Sequence, residues 1–255
     1  MGENTMKIIA VIPARYSSNR LPGKPLADIC GKPMIWWVYH QVSQVKEFAE
    51  IYIATDDARI EEVCYQLRMP VMMTGKDTPN HIHRIWEVTE RVSADYYVSV
   101  NGDEPLIDPD NIRQALRTLP EKHLAGPYFG SVYRELSDPA ETMDLANVKI
   151  VLGTNNQCLY QSRYPVPSTK GSLNFKYKKA IGIECFNKQA LDFFVNTPMG
   201  VLEKIEDIDH LRFLENGIPI YYTEIKSESL SVDTKNDLEK VRSIISIKYQ
   251  KGDCK

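Results

Sequence analysis

The chain has 255 residues, of which 43% are hydrophobic and 25% are charged, a balance typical of a globular protein with one large domain. The net charge of −3 at pH 7 gives no indication of a surface that binds nucleic acid. No apolar run reaches the roughly 18 residues of a membrane span, so we expect no membrane segment. The five cysteines are scattered without a CxxC pair, and the N-terminus has no signal-peptide core. We therefore expect reduced thiols and a cytoplasmic location.

The first predicted element is an apolar run, Ile8 to Ile12, which indicates a buried strand that ends at Pro13. The loop after it carries three cations, Arg15, Arg20 and Lys24. Open α/β sheets bind ligands at the carboxyl ends of their strands, so a cationic loop there suits a nucleoside triphosphate. Three cations alone would equally fit a solvated basic loop.

Strands and helices alternate through the next hundred residues. This alternation predicts an α/β fold with a central, mostly parallel sheet flanked by helices. The predicted elements are a helix over 34–42, a strand over 50–55, a helix over 57–67, a strand over 70–73, a helix over 80–92, a strand over 95–100 and a helix over 109–118.

Acidic residues follow the strand over 95–100, in the segment Asn101-Gly102-Asp103-Glu104. Carboxylates at the carboxyl end of a central strand are costly unless something neutralises them. Mg²⁺ would do so, because it prefers one or two carboxylates together with phosphate oxygens. Asp103 could instead be an ordinary turn or helix-capping residue.

From residue 125 the pattern changes to strands joined by turns. Asp233 or Thr234 could cap the last helix of the chain. We expect one domain, with a nucleotide-binding core of about residues 6–120 and 217–250 and a sheet-rich subregion of about residues 125–216. The predicted elements are strands over 126–134, 147–152, 157–162 and 176–186, helices over 188–196 and 202–216, a strand over 220–225 and a helix over 235–249.

Residues 12–26 (IPARYSSNRLPGKPL) resemble the opening signature of the 3-deoxy-manno-octulosonate (KDO) cytidylyltransferases. The resemblance continues in order along nearly the whole chain, through 31–35, 54–57, 100–105, 159–163, 181–183, 211–217 and 232–234. It implies a Rossmann-like nucleotidyltransferase fold with a sheet-rich dimerisation arm, and a homodimer. It also implies Mg²⁺-dependent transfer of CMP from CTP to a sugar acid, with release of pyrophosphate.

The same resemblance assigns roles to individual residues. Cations of the first loop would grip the triphosphate and stabilise the leaving pyrophosphate, and Asp103 and Asp233 would hold Mg²⁺ on the α-phosphate. The implied catalytic residues are Arg15, Lys24, Asp103 and Asp233, and the implied nucleotide-binding residues are Ala14, Arg15, Ser18, Arg20, Lys24, Arg84 and Asn101.

Departures from the family pattern are concentrated around the expected acceptor pocket. Of the usual SGTER segment only Arg84 remains, Asn101 replaces a Gln, and Ala180 replaces a His. Glu184 stands where the family has an aromatic residue, and Asp209-His210 stand where it has Glu-Gln.

Arg163, which the resemblance places on the sugar carboxylate, is kept. The implied acceptor-binding residues are therefore Arg163, Glu184, Asp209 and His210. We expect an acceptor related to KDO, and Glu184 could pair with an amine on an amino-sugar analogue.

Other readings stay open at this point. The chain could be a KDO enzyme with a drifted pocket, a nucleotidyltransferase for a phosphonate or a sugar phosphate, or a nucleotide-binding protein without activity. His81 and His83 face different ways on the start of a helix, and they could contact a substrate or the base, or be solvated or capping residues.

Overall fold

The computed structural model describes residues 6–17, 21–120, 124–172, 174–227 and 229–250, with side chains through residue 247. Two compact units are formed by these residues. The first contains the described residues up to Ile112 together with those from Ser227 onward, and the second is Arg113–Lys226. Whether the chain acts as the single expected domain stays a prediction. Among the described residues, no helix combines the length and the apolar character that a membrane crossing needs.

The order of strands and helices along the described chain follows the alternation expected up to residue 118. The strands are β1 (Ile8–Ala14), β2 (Asp28–Ile29), β3 (Lys32–Pro33), β4 (Glu50–Thr55), β5 (Val71–Met73), β6 (Tyr96–Val100), β7 (Phe129–Glu135), β8 (Lys149–Leu152), β9 (Cys158–Ser162), β10 (Lys178–Phe186) and β11 (Ile220–Glu224). The helices are α1 (Met34–Val42), α2 (Ala58–Gln66), α3 (His81–Thr89), α4 (Pro109–Leu116), α5 (Pro139–Met143), α6 (Lys188–Asn196), α7 (Val201–Glu206), α8 (Leu211–Glu215) and α9 (Lys235–Gln250).

The first unit is built on a parallel sheet in the order β5-β4-β1-β6. Strands β4 and β5 follow one another outward on one side of β1. The chain then crosses to the other side, where β6 pairs with β1. This reversal of strand order creates a crevice at the carboxyl ends of β1 and β6, which is where open α/β sheets bind ligands. The expected α/β class, with a parallel sheet flanked by helices, is confirmed.

The sequence-based end of β1 was wrong. Pro13 was expected to end the strand, but β1 continues through Pro13, which pairs with Ala54 of β4. On the other side of β1, the pairing with β6 reaches only to Val11. Beyond that residue β1 is paired on one side only, and a proline is tolerated there as it is on an edge strand.

The second unit carries a mainly antiparallel sheet in the order β11-β7-β10-β8-β9. Only the β11–β7 pair is parallel. The register between β10 and β7 shifts between Ile181 and Glu184, and such an irregularity re-aims the side chains next to it.

The helix expected over 202–216 is two short helices, α7 and α8. Asp207 ends α7 in the left-handed conformation, with φ of 52°, and its N–H donates to the carbonyl of Glu203. Residues 202–216 contain no glycine or proline that would have predicted this break. Helix α5 was also not predicted, although Asp138 caps it by accepting from the N–H of Ala140 and Pro139 is its first residue.

An apolar cluster in the first unit holds α9 against the early part of the chain. Leu238, Val241 and Ile245 of α9 pack with Met34 and Trp37 of α1. Val232, immediately before Asp233, is fully buried in the same cluster. The packing therefore fixes the segment that precedes α9.

Gly102 is expected to be essential for the first unit. A Cβ atom at this position would lie 2.6 Å from the carbonyl oxygen of Pro13, a contact with backbone that cannot be relieved without moving β1 or the turn after β6. We predict that Gly102→Ala lowers the free energy of unfolding by about 1–3 kcal/mol, as overpacking usually does. Urea denaturation measures this, with Gly126→Ala as the control, because a Cβ there has no neighbour within 4 Å. Equal stability of the two variants would contradict the close approach.

Candidate functional site

The loop after β1 is closed by its own backbone. The N–H of Gly23 donates to the carbonyl of Tyr16 at 2.9 Å, and Gly23 adopts a left-handed φ of 69°. Ala14 is the buried last residue of β1, and Arg15 directly after it is exposed. Ser18 and Arg20, both expected to bind the nucleotide, lie outside the described residues.

An aromatic side chain supports this loop from one side. The guanidinium carbon of Arg59 lies 3.2 Å from the ring centroid of Tyr16, and a Cβ on Gly23 would be 3.0 Å from the same ring. Arg59 in turn makes two hydrogen bonds to the carboxylate of Asp57, at 2.7 and 2.8 Å, and these lower the pKa of that carboxyl. Asp57 is the N-cap of α2, as predicted. The cap of α2 and the first loop are thus linked through one stacked arginine.

Lys24 brings the first loop to the two predicted metal ligands. Its ammonium lies 2.6 Å from the carboxylate of Asp103 and 3.5 Å from that of Asp233. Asp103 follows β6 and Asp233 precedes α9, so three distant parts of the chain meet at one cation. All three side chains are partly exposed, at 15%, 27% and 33% for Lys24, Asp103 and Asp233.

Backbone contacts fix the spacing of the two carboxylates. The N–H of Val232 donates to the carbonyl of Asp103 at 2.9 Å, which ties the residue before Asp233 to the turn after β6. The start of α9 is capped by Thr234 and Asp237: Thr234 Oγ1 accepts from the N–H of Asp237, and the Asp237 carboxylate accepts from the hydroxyl and N–H of Thr234. Burial would raise the pKa of Asp237, but these hydrogen bonds outweigh it and the pKa is lowered.

This donor set fits a hard divalent cation. Both carboxylates lie within reach of a single cation, and carboxylate oxygens are ligands that Mg²⁺ and similar ions prefer. A site with two protein carboxylates leaves the other coordination positions to water or phosphate oxygens. Asp103 and Asp233 could therefore hold a metal that also contacts a triphosphate.

Arg84 and Asn101, two further residues expected to bind the nucleotide, occupy different surroundings. Arg84 is buried and bonded through its guanidinium to Asp56, at 3.0 Å, and to the hydroxyl of Thr74. Asn101 lies directly after β6, and its carbonyl accepts from the N–H of Glu104 at 3.3 Å. Arg84 thus braces the ends of β4 and β5, and contact of either residue with a nucleotide stays a prediction.

In the second unit, two of the residues expected to bind the acceptor form one pair. Nε2 of His210 lies 2.8 Å from Oε1 of Glu184, and both side chains are largely buried. The imidazole also stands edge-on to Phe129, with ring centroids 4.8 Å apart. Nδ1 of His210 is buried without a hydrogen-bond partner among the described residues.

Arg163 is anchored to backbone in the second unit. Its guanidinium donates to the carbonyls of Leu145, Glu206 and Asp207 at 3.1, 2.7 and 2.5 Å. It also reaches the carboxylate of Asp207 at 3.3 Å. Most of its donors are therefore occupied within the unit, and its expected contact with a sugar carboxylate stays a prediction.

The other expected pocket residues have local backbone roles. Asp209 lies in the turn between α7 and α8, where its carbonyl accepts from the N–H of Arg212. Asn80 caps α3 by accepting from the N–H of His83, and it lies 2.7 Å from Nδ1 of the same histidine. His81 is the first residue of α3.

Comparisons with known proteins agree on one family. Residues 9–227 match the family model described as cytidylyltransferase. The chain is 37% identical over 243 residues to a 3-deoxy-manno-octulosonate cytidylyltransferase of Escherichia coli, covering 94% of this chain and 96% of that protein. This chain belongs to the 3-deoxy-manno-octulosonate cytidylyltransferase family. It is accordingly an enzyme of the nucleotidyltransferase class.

Further relatives refine the comparison. An 8-amino-3,8-dideoxy-manno-octulosonate cytidylyltransferase of Shewanella baltica is 35% identical over 245 residues, covering 95% of this chain and all of that protein. The solved structure of a CMP:2-keto-3-deoxy-manno-octonic acid synthetase complexed with CTP superposes with a TM-score of 0.89 at 36% identity, covering 95% of this chain and 99% of that one. Cytidylyltransferases named for 3-deoxy-manno-octulosonate and for its 8-amino analogue thus resemble this chain about equally.

Several residues that shape the site in this cytidylyltransferase were not found by sequence reasoning. Tyr16 and Arg59 support the loop after β1, but neither was singled out, because a stacked pair from separate elements leaves no local pattern. The capping of α9 by Thr234 and Asp237 was readable, since a threonine followed three residues later by an acid is a capping pattern. The contact of Glu184 with His210 has no signal in the sequence.

Proposed function

We propose that the protein transfers CMP from CTP to a KDO-like sugar acid and releases pyrophosphate, with Mg²⁺ as the metal. The observation that carries this proposal is the meeting of Lys24 with Asp103 and Asp233 at the carboxyl ends of β1 and β6. A cation-bearing loop and a carboxylate pair at one point are what a metal–triphosphate complex requires. Phosphoryl transfer depends mainly on positioning and on neutralising charge, and this arrangement offers both.

Each part of the site would serve a different part of the nucleotide. Arg15 and Lys24, together with Arg20 and Ser18 of the same loop, would contact the outer phosphates and stabilise the departing pyrophosphate. A metal bound by Asp103 and Asp233 would supply positive charge at the α-phosphate.

The nucleoside end of CTP would lie against other residues of the first unit. Ala14 and Asn101 sit at the ends of β1 and β6, and we propose that they approach the nucleotide together with Arg84. Arg84 would do so while its bond to Asp56 keeps it oriented.

The reaction itself needs no covalent intermediate on the protein. An acceptor hydroxyl forms a bond to the α-phosphorus while the bond from that phosphorus to pyrophosphate breaks, and the hydroxyl proton leaves to water. The protein's contribution is to hold the two reactants in line and to compensate the charge that develops on the leaving group.

Removing either carboxylate should abolish this reaction while leaving the fold intact. We predict that Asp103→Asn and Asp233→Asn each lower kcat by at least about 10²-fold, because the metal loses a charged ligand next to the reacting phosphate. Release of pyrophosphate from CTP and a sugar acid measures this, and circular dichroism checks the fold. Asp77→Asn, which changes an exposed carboxylate of the same unit, is the control. Full activity in both site variants would overturn the metal assignment.

For the acceptor, we propose a sugar acid that carries an amine, held by the pair of Glu184 and His210. Glu184 is buried beside His210, and a carboxylate can accept up to about four hydrogen bonds. A buried carboxylate is costly unless it is compensated, which favours a cationic ligand group over a neutral hydroxyl. Asp209 and Arg163 would complete the acceptor side.

An acceptor panel tests this part of the proposal. With CTP and Mg²⁺, we predict that kcat/KM for 8-amino-3,8-dideoxy-manno-octulosonate exceeds that for KDO by about tenfold or more. Glu184→Gln should remove most of this preference by lowering turnover of the amino sugar alone, and Glu135→Gln, which changes an exposed ion pair with Lys176, is the control. Turnover of KDO equal to that of the amino sugar would overturn the amine assignment and leave the transfer of CMP untouched.

We also propose a homodimer that forms through the second unit. Exposed apolar side chains gather where Arg163 ties Leu145 to the end of α7: Leu145 is 54% exposed, and Val201 and Ile205, one turn apart on α7, are 67% and 75% exposed. Tyr164, adjacent to the anchoring arginine, is exposed as well. Exposed apolar side chains grouped in this way are typical of a protein–protein interface.

A charge placed on this surface should separate the dimer. We predict that Ile205→Glu weakens self-association by about 100-fold or more, because a carboxylate would be buried without a partner. Light scattering after size-exclusion chromatography measures the mass of the particle. Ile247→Glu, on an exposed position of α9, should leave it unchanged. A monomeric wild-type protein, or a dimer unaffected by Ile205→Glu, would contradict the proposal.

We also propose a cytoplasmic location, which the free thiols of Cys30, Cys64, Cys158 and Cys185 support. Burial raises the pKa of Cys64 and of Cys158 to about 12, and it raises that of Cys185 as well. These three thiols are therefore packing residues with little tendency to react.

A further inference from the structure

We propose that Lys24 has a second role besides binding phosphate. Its ammonium competes with a divalent cation for Asp103 and Asp233, so the pair binds the cation tightly only when a triphosphate is bound as well. This inference rests on the proposed function, because it concerns the same carboxylates. It adds that the site binds a metal alone weakly and binds a metal together with a nucleotide tightly.

The geometry makes Lys24 the countercharge of the carboxylate pair. Its Nζ atom is at hydrogen-bond distance from Oδ2 of Asp103, 2.6 Å, and it lies 3.5 Å from Oδ1 of Asp233. The lysine side chain is only 15% exposed, so water screens this interaction less than it would on an open surface. The ammonium occupies the region toward which both carboxylates converge.

A divalent cation and this ammonium compete for the same oxygens. Mg²⁺ binds carboxylate oxygens at about 2.0–2.1 Å, closer than the ammonium approaches Asp103. Two cations within a few ångströms of each other repel strongly. A metal can therefore bind the pair well only if the ammonium moves away.

The lysine is the movable part of this arrangement, and the carboxylates are the fixed part. Asp103 is held by its carbonyl bond to the N–H of Val232, and Asp233 stands between buried Val232 and the cap that Thr234 forms. By contrast, the four-carbon stem of Lys24 can swing by rotamer changes while its backbone stays in the short 3₁₀ turn Lys24–Leu26.

A triphosphate supplies what the metal alone does not, which is a new set of anionic oxygens for the displaced ammonium. Metal binding then no longer leaves Lys24 without a counter-ion. Coupling of this kind is reciprocal, so the metal must strengthen nucleotide binding by the same factor as the nucleotide strengthens metal binding.

Direct binding of Mn²⁺, followed by the electron paramagnetic resonance of the free ion, tests the inference without turnover. We compare wild type, Lys24→Met and Lys46→Met, the last being a matched loss of one exposed charge whose ammonium donates to the carbonyl of Ser43 at 3.1 Å. Without nucleotide, Lys24→Met should bind Mn²⁺ about tenfold more tightly than wild type, because the substitution removes a competing cation that water only partly screens. Lys46→Met should match wild type.

Two further measurements complete the experiment. With CTP present, and after correction for the Mn²⁺ that CTP itself binds, the strengthening of metal binding by nucleotide should be about tenfold smaller in Lys24→Met than in wild type. The double variant Lys24→Met with Asp103→Asn should lose the gain in affinity, which places the metal at this pair. Lys24→Gln serves in place of Lys24→Met if circular dichroism shows that the latter is unfolded.

Either of two results overturns the inference: a folded Lys24 variant that binds Mn²⁺ no more tightly than wild type without nucleotide, or a gain in affinity that survives Asp103→Asn. Failure of the proposed function looks different. In that case no sugar acid would release pyrophosphate from CTP, while the tighter binding of Mn²⁺ to the Lys24 variant would persist.

Discussion

The contact of one ammonium with two carboxylates is the interaction on which the functional architecture depends. Lys24 comes from the loop after β1, Asp103 from the turn after β6 and Asp233 from the segment before α9, so this contact exists only when the parallel sheet has formed and α9 has docked. The hydrogen bond from Val232 to Asp103 joins the last two of these segments directly. Much of the first unit can be understood as the support that keeps this charge cluster in register.

The two units have different constraints. In the first, the close backbone approach at Gly102 and the arginine stacked on Tyr16 restrict the conformation of the loop after β1. In the second, Glu184 and His210, both expected to bind the acceptor, form a largely buried pair. We expect nucleotide transfer to depend on the first arrangement whatever the acceptor is, and the choice of acceptor to depend on a few side chains of the second unit.

Sequence reasoning succeeded where the signal is local. The alternation of apolar runs and helical spacing gave β4 and α6 with the bounds that the structure has, and the cap at Asp57 was read from one residue. It failed to predict where β1 ends and where the helix over 202–216 breaks. Pro13 stays in β1 because one side of that strand is unpaired there, and the left-handed Asp207 divides a segment whose composition is that of a continuous helix.

The sequence by itself determined the family and the α/β class and predicted residues for a triphosphate and a metal, because these follow from short motifs and from periodicity. Only the tertiary structure decided which charges meet. It paired Lys24 with both aspartates, gave Glu184 a partner and committed Arg163 to backbone carbonyls. The physical reason is that charge interactions depend on distance in space, and residues far apart in the chain become neighbours only through strand order and helix packing.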